Sequence, residues 1–352
     1  MCGKSRWCGD LVNPNVTVVL QCGSPVLLPW KNDVKGIVLS YLGGETAGSA
    51  SAKVLTGEVN PSGRLAETFP MFLEDTPCYN NFAKEVMDVE YRESILVGYR
   101  YYDWADIPVL YPFGYGLSYK DFSYEGMQVE WDDDSGIGSV KVTVSNKGNR
   151  AGSEVVQLYI GKEYSSVMRA PKELKGFQKI FLNSQETKTV KLLLDKRSFS
   201  YYDIEEHRWT IENGNYQLYV AASSRDIRLK ADLKVKGKVI MRSPEYKAAD
   251  VVKNGRFSCI REQFKMLFEG ELPKTPQMDE ISLNSTVQEV LEKEAGRKSF
   301  QEMVDGFNKK FDGEDDLNII MRAMLKDMPL RGLAMFGEAA MGDIEKKIKD
   351  LN

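Results

Sequence analysis

Val16-Thr17-Val18-Val19-Leu20 is a near-continuous apolar run, and it limits what this chain can fold into more than any other feature. Apolar residues without alternation mark a strand covered on both faces, as in a parallel sheet. Such a strand needs a neighbour on either side, yet only weakly patterned residues come before it. Gly36-Ile37-Val38-Leu39-Ser40-Tyr41 is a second run of this kind. Gly43-Gly44 follow, then a small-residue helix predicted from about Glu45 to Leu55, with Gly57 as its C-cap. This is β-α-β grammar with too few strands for a complete doubly wound sheet. The expectation is a truncated α/β segment whose first strand has an open edge and face, suited to pairing or aggregation.

Further along, the period changes. Val140, Val142 and Val144 alternate with Lys141 and Thr143, Asn146 to Asn149 reads as a turn, and Glu154 to Ile160 as the returning strand. Thr187 to Leu194, Arg208 to Ile211 and Tyr216 to Ala221 continue the pattern, with Asn213-Gly214 as a predicted hairpin turn. Ile227, Leu229, Ala231, Leu233 and Val235 alternate with charged residues. The spacing fits an immunoglobulin-like or fibronectin-type sandwich. The last stretch is helical: Ser285-Thr286-Val287-Gln288 reads as a capping box before Val290 and Leu291. Leu317, Ile320, Met321, Met324, Leu325 and Met328 recur at helical spacing until Pro329, as a core or docking face or as an adaptable partner surface. The predicted chain is multidomain, α/β plus all-β, with domains at 1–125 and 126–237 and a helical extension at 250–352.

At 352 residues the chain has length for two or three cores. A net charge of −4 argues against non-specific nucleic-acid binding, and the apolar runs are too short and interrupted to span a bilayer. One histidine and five cysteines (Cys2, Cys8, Cys22, Cys78, Cys259) include no C-x-x-C pair and leave little for a metal site. Free thiols in a reducing cytosol are the expected state. Met1 to Asp10 lack the apolar core of a signal peptide, so a cytoplasmic location is expected, and Asn15-Val16-Thr17 and Asn284-Ser285-Thr286 read as chance glycosylation patterns. Ser24 precedes Pro25 and makes no nucleophile elbow, and His207 sits on an expected exposed hairpin edge. Neither Gly43-Gly44 nor Gly114-Tyr115-Gly116 fits a phosphate-binding fingerprint.

Three long motifs remain. They are Val59-Asn60-Pro61-Ser62-Gly63-Arg64-Leu65-Ala66-Glu67-Thr68-Phe69-Pro70, Tyr91-Arg92-Glu93-Ser94-Ile95-Leu96-Val97-Gly98-Tyr99-Arg100-Tyr101-Tyr102-Asp103, and Tyr111-Pro112-Phe113-Gly114-Tyr115-Gly116-Leu117-Ser118-Tyr119. In that order they resemble the C-terminal half of the family 3 glycoside hydrolases, the β-glucosidases and their relatives. Glu154-Val155-Val156-Gln157-Leu158-Tyr159 and Pro171-Lys172-Glu173-Leu174-Lys175-Gly176-Phe177 resemble the fibronectin type III-like domain that closes many of these enzymes. Some bacterial members carry a similar helical tail.

The resemblance implies hydrolysis of terminal β-glycosyl units with retention, without metal or organic cofactor. Retention needs two carboxylates about 5–5.5 Å apart. In the family the nucleophile is an Asp on an N-terminal (β/α)8 barrel, which has no counterpart in this sequence. The acid/base of the β-glucosidase members is a Glu on a loop upstream of the strand matching Val16 to Leu20, in a context like Gly-Glu-Gly; no such tripeptide precedes Val16. The resemblance therefore implies no catalytic residue in this chain and no activity from it alone. Its expected partners are a β-glucoside or oligosaccharide in the parent enzyme and a chain carrying the barrel. Tyr91, Arg92, Glu93 and Glu45 are the substrate-proximal candidates. Glu45 and Glu93 could form a substitute pair, or Glu45 could serve a helix N-terminus while Glu93 anchors a loop. The aromatic residues of Tyr99 to Trp104 and Tyr111 to Tyr119 suit sugar stacking or packing between the α/β segment and the sandwich. A non-catalytic carbohydrate- or protein-binding module is the rival reading.

Overall fold

The computed structural model describes residues 15–82, 89–162, 164–240 and 280–352, with short pieces at 252–253, 256–257, 264–265 and 272. Met1 to Asp10, Cys259 and the beginning of the helical extension at 250 lie outside the described residues. The chain divides into two compact units, residues 1–80 with 91–267 and residues 81–90 with 268–352.

The first unit opens with β1 (Thr17–Leu20) and β2 (Gly36–Leu39), paired in parallel from Thr17↔Gly36 to Leu20↔Leu39. These two strands form a sheet of their own. The first strand has the open edge and face expected of a truncated segment, although its residues form only a two-stranded sheet. Thr17 and Val19 are exposed and Val18 and Leu20 only half-buried, because among the described residues no third strand pairs with this sheet. Helix α1 (Ala47–Leu55) starts two residues later than predicted, after an N-cap Thr46 without a side-chain bond. Its end is as expected: Gly57 takes φ +74°, a conformation cheap only for glycine, and its N–H donates to Val54 O. Leu42 is 83% exposed beside this helix, so the segment leaves apolar surface open.

A two-residue strand β3 (Phe69–Pro70), helix α2 (Tyr99–Trp104) and β4 (Val109–Tyr111) follow, with β3 antiparallel to β4. The sandwich is built of β5 (Phe122–Asp132), β6 (Ile137–Asn146), β7 (Gly152–Gly161), β8 (Glu173–Leu182) and β9 (Thr187–Asp195). It continues through a short helix α3 (Lys196–Phe199), β10 (Ser200–Asp203), β11 (Arg208–Ile211), β12 (Gly214–Ala221) and β13 (Ile227–Val235). One sheet has the order β5-β6-β9, the other β13-β12-β7-β8, and β10-β11 form a separate hairpin. The boundary expected at 125/126 falls inside β5, whose first residue is Phe122.

Alternation decides which side chains face inward. Val140, Val142 and Val144 of β6 are wholly buried and meet Val156, Leu158, Leu218 and Val220 of the opposite sheet. Each such side chain is worth roughly 1.5–3 kcal/mol in burial. The expected turn at Asn146–Asn149 and the strand after it are present, and one expected hairpin is corrected. The Asn146–Asn149 turn leads not to an antiparallel partner but across to the other sheet, where β7 pairs with β8 and β12. Buried Asn146 makes the crossing possible by donating to Arg150 O (2.8 Å) and Asn183 O (3.0 Å) while accepting from Gly148 N (2.9 Å). Asn213-Gly214 does not close a β11–β12 hairpin: β11 pairs with β10, and Gly214 opposes Val235 of β13. His207 lies exposed in the β10–β11 turn, as expected.

The second unit contains α4 (Val287–Glu292), α5 (Glu294–Lys310), α6 (Asp316–Leu325), α7 (Leu330–Met335) and α8 (Met341–Leu351). Val290, Phe300, Val304, Phe307, Leu330, Leu333 and Ile344 form its core. The capping box lies one residue later than predicted. Thr286 Oγ1 accepts from Glu289 N (3.2 Å) and Glu289 Oε2 accepts from Thr286 N (2.7 Å). The apolar stripe on and after α6 divides: Leu325 and Met328 enter the core, whereas Leu317, Ile320 and Met324 are 64%, 52% and 56% exposed. Among the described residues no helix is long and apolar enough to cross a membrane.

Candidate functional site

The loop before α2 turns tightly. Ser94 N–H donates to Tyr91 O (3.1 Å) and Leu96 N–H to Glu93 O (2.9 Å), with Ser94 and Gly98 both at positive φ. This turn splits the three neighbouring candidates: Tyr91 is 70% exposed, Arg92 half-buried and Glu93 only 5% exposed. Glu93 Oε2 is buried without a hydrogen-bond partner. Burial pushes the Glu93 carboxyl above the usual carboxylate range, opposed by a bond from its own backbone amide. The Cys78 thiol is also pushed up, first by burial and then by the charge of Glu93. Leu96, Tyr101, Tyr102 and Ile107 form the buried cluster of this region. Burial raises the Tyr102 phenol too, with Tyr101, Asp75 and Cys78 adding to it.

Glu45 is elsewhere in character. It is exposed and stands just before the N-cap of α1, where a negative charge suits the helix end. Among the described residues no hydrogen bond or ion pair links it to Glu93. A retaining pair requires two carboxylates addressing one bond across about 5–5.5 Å; a solvated Glu45 and an enclosed Glu93 with one unpartnered oxygen differ in the environment such a pair would share. Among the described residues no group of three or more His, Cys, Asp or Glu is arranged to hold a metal ion.

Glu93 gives a pH signature. The unfolded chain ionises it near about 4.3, whereas the folded chain resists ionisation, so between the two values the folded state holds more protons. Stability therefore falls as pH rises through that window and is unaffected below it. Glu93→Gln is expected to melt higher than the parent at pH 7, with the difference vanishing below about pH 4. A melting-temperature series from pH 3.5 to 8 measures this, and a destabilised variant at pH 7 would show that the carboxylate has a favourable partner.

The long motifs have a different job, which sequence reasoning reached only for the aromatic residues. Arg64, with a side chain 9% exposed, reaches Glu154 Oε1 of β7 at 2.5 Å and donates to Gly116 O at 2.7 Å. Asp103 accepts from Lys172 Nζ (2.6 Å) and Arg225 Nε (2.9 Å), and Arg225 also donates to Tyr102 O (3.0 Å) and Ile107 O (2.8 Å). Tyr99 stacks on Phe113 at 4.8 Å and meets Tyr159 edge-on at 5.8 Å, while its hydroxyl accepts from Leu174 N. Gln157 Nε2 bonds Gly114 O (3.0 Å), where φ is +78° and a Cβ would stand 2.2 Å from Gln157 Oε1. The motif residues thus clamp the α/β segment onto the sandwich. The pairing roles of Glu154 and Arg225 were missed because their partners lie far away in sequence; the one available signal was an acid, Asp103, set inside an aromatic run.

Known proteins share these modules. Residues 11–119 match the glycosyl hydrolase family 3 C-terminal domain and residues 154–224 the fibronectin type III-like domain. Thermostable beta-glucosidase B of Acetivibrio thermocellus is 39% identical over 349 residues, 97% of this chain and 41% of the relative, so that likeness runs through the helical tail. An exo-alpha-(1->6)-L-arabinopyranosidase of Bifidobacterium breve is 43% identical over 61% of this chain and 28% of its own length. The structure of beta-glucosidase 3B from Thermotoga neapolitana in complex with alpha-D-glucose superposes with a TM-score of 0.60 at 38% identity, covering 64% of this chain and 32% of that one. The chain spans well under half the length of each. With the family 3 C-terminal domain followed by a fibronectin type III-like sandwich, this chain belongs to the glycoside hydrolase family 3 architecture as a C-terminal portion of it.

Proposed function

We propose that this chain is the non-catalytic C-terminal portion of a retaining β-glucosidase-like hydrolase, which in its entirety removes terminal β-linked glycosyl units. By itself the chain does not turn over a glycoside. The observation that carries this reading is the contrast between its two carboxylate candidates: Glu45 is solvated at a helix start, and Glu93 is enclosed with its Oε2 unpartnered. Tyr91, Arg92 and Glu93 stand as a substrate-proximal loop in the assembled enzyme, with exposed Tyr91 as its reaching member. The complement is a polypeptide carrying the barrel, and the uncovered apolar residues around β1 and α1, Val19, Leu42 and Leu55, suit a covering partner. The preferred sugar belongs to the complement, which supplies the groups that grip the terminal ring.

The test is an assay of the purified chain on an aryl β-glucoside beside Glu45→Gln and Glu93→Gln. The expected result is no release above buffer for any of the three. Turnover abolished by either substitution would overturn the proposal and assign catalysis to that carboxylate.

A further inference from the structure

Beyond β13 the chain runs beside β11: Lys238 N–H donates to Ile211 O (2.8 Å) and Lys238 O accepts from Asn213 N (2.9 Å). The approach is close enough to need Gly237, whose Cβ would stand 2.4 Å from Ile211 O. Lys236 N–H is tied to Asp133 Oδ1 in the β5–β6 turn at 2.9 Å. A recess of about 370 Å³ opens among these segments. That volume sits at the small end of ligand pockets, roughly 300–1,000 Å³, and suits one or two sugar rings.

The wall is charged with one dominant sign. Lys196, Arg208, Lys236 and Lys238 line it against a single carboxylate, Asp133. Asp133 is already engaged by Trp131 Nε1 (2.9 Å) and the Lys236 amide, and the neighbouring Asp132 by Ser135 and the Asp134 amide. Glu206 pairs with both Arg208 and Lys238. One cation is left over and a second is only loosely paired. Among the described residues the Lys196 ammonium has no hydrogen bond or ion pair, and Lys236 Nζ stands 4.0 Å from Asp133 with its side chain 78% exposed. Thr210, only 6% exposed, also lines the recess, and its hydroxyl has no partner. An enclosed hydroxyl without a bond is costly, so a ligand or water that supplies one is favoured. Trp131, half-buried and set edge-to-face with Phe199 at 4.7 Å, lines the recess, while the ring of Trp209 is capped by Arg197 at 3.2 Å.

We propose that this recess on the fibronectin-like sandwich binds an acidic saccharide, receiving a uronic acid carboxylate on Lys196 and Lys236 and its pyranose ring on Trp131. The carboxylate supplies the charge that the Lys196 ammonium lacks and a closer partner for the exposed Lys236 ammonium than Asp133 at 4.0 Å, and charge-assisted bonds of this kind are the strong ones. A neutral glucan offers the ring without the charge, and inorganic phosphate the charge without the ring. The inference does not depend on the hydrolase reading.

Calorimetric titration of the full chain with trigalacturonate, cellotriose and inorganic phosphate tests it. Saturable binding of trigalacturonate is expected, weakening with added salt, with cellotriose and phosphate bound far less well. Lys196→Gln/Lys236→Gln changes two exposed side chains and leaves the fold intact; it is expected to weaken trigalacturonate about tenfold or more. Absence of saturable trigalacturonate binding overturns the proposal, as does equal affinity for cellotriose, equal affinity for phosphate, or indifference to the double substitution.

Discussion

Arg64→Met is expected to lower the stability of the first unit by about 3–5 kcal/mol, the cost of breaking a buried ion pair from one side. The side chains of Arg64 and Glu154 are 9% and 6% exposed, so removing the guanidinium strands a carboxylate where water does not reach it. Glu154 keeps only the bond from Val155 N, and Gly116 O loses its donor. The companion Arg64→Met/Glu154→Leu should recover most of the loss, because replacing both charges with apolar groups removes the stranded charge along with the pair. Urea unfolding of the parent, both single variants and the double variant completes the cycle. A single-variant loss under about 1 kcal/mol would mean that the pair behaves like a screened surface bridge.

Phe307→Ala should be comparably severe in the second unit, at about 3–5 kcal/mol. Phe307 is wholly buried, with Phe311 4.7 Å and Phe336 5.4 Å from its ring centre, so truncation removes the hub of three rings. A helical module of this size commands only about 3–5 kcal/mol in total, so the variant should lose its α4–α8 helices at ambient temperature. The sandwich, with its own core, should melt where it did before. Calorimetry with far-ultraviolet dichroism reads the outcome as loss of one transition and part of the helical signal. If both transitions fall together, the two units unfold as one cooperative body.

What the sequence made legible was whatever depends on local period. The inward valines of β6, the alternation of β13 and the helical spacing before Pro329 follow from side-chain geometry within one element, and the structure has them there. Partner choice does not follow from local period. Turn residues at Asn146–Asn149 and Asn213-Gly214 say that the chain changes direction; whether it re-enters the same sheet is decided by the opposite layer. The capping box slipped by one residue because Ser285 and Thr286 both have the chemistry, and only the helix register selects Thr286 with Glu289. The candidate loop was harder still. Tyr91 and Glu93 are two residues apart, yet one is open and the other enclosed, a difference created by the positive φ at Ser94 and by packing around Leu96 and Tyr102. The family motifs were readable as motifs, but their role as a clamp depended on Glu154, Lys172 and Arg225, which lie far along the chain.

That distance sets an order in time. Asp103 and Arg225 are separated by 122 residues. At roughly 5–20 residues per second, a ribosome takes on the order of 6–24 s to cover that interval. Throughout it the emerging Tyr99–Trp104 helix lacks the aromatic and cationic surroundings that bury it in the finished molecule. The α/β segment must therefore wait, unsatisfied, for the strand that follows Arg225 to close the sandwich. During that wait its rings lack the partners, Phe113 aside, that bury them in the folded chain.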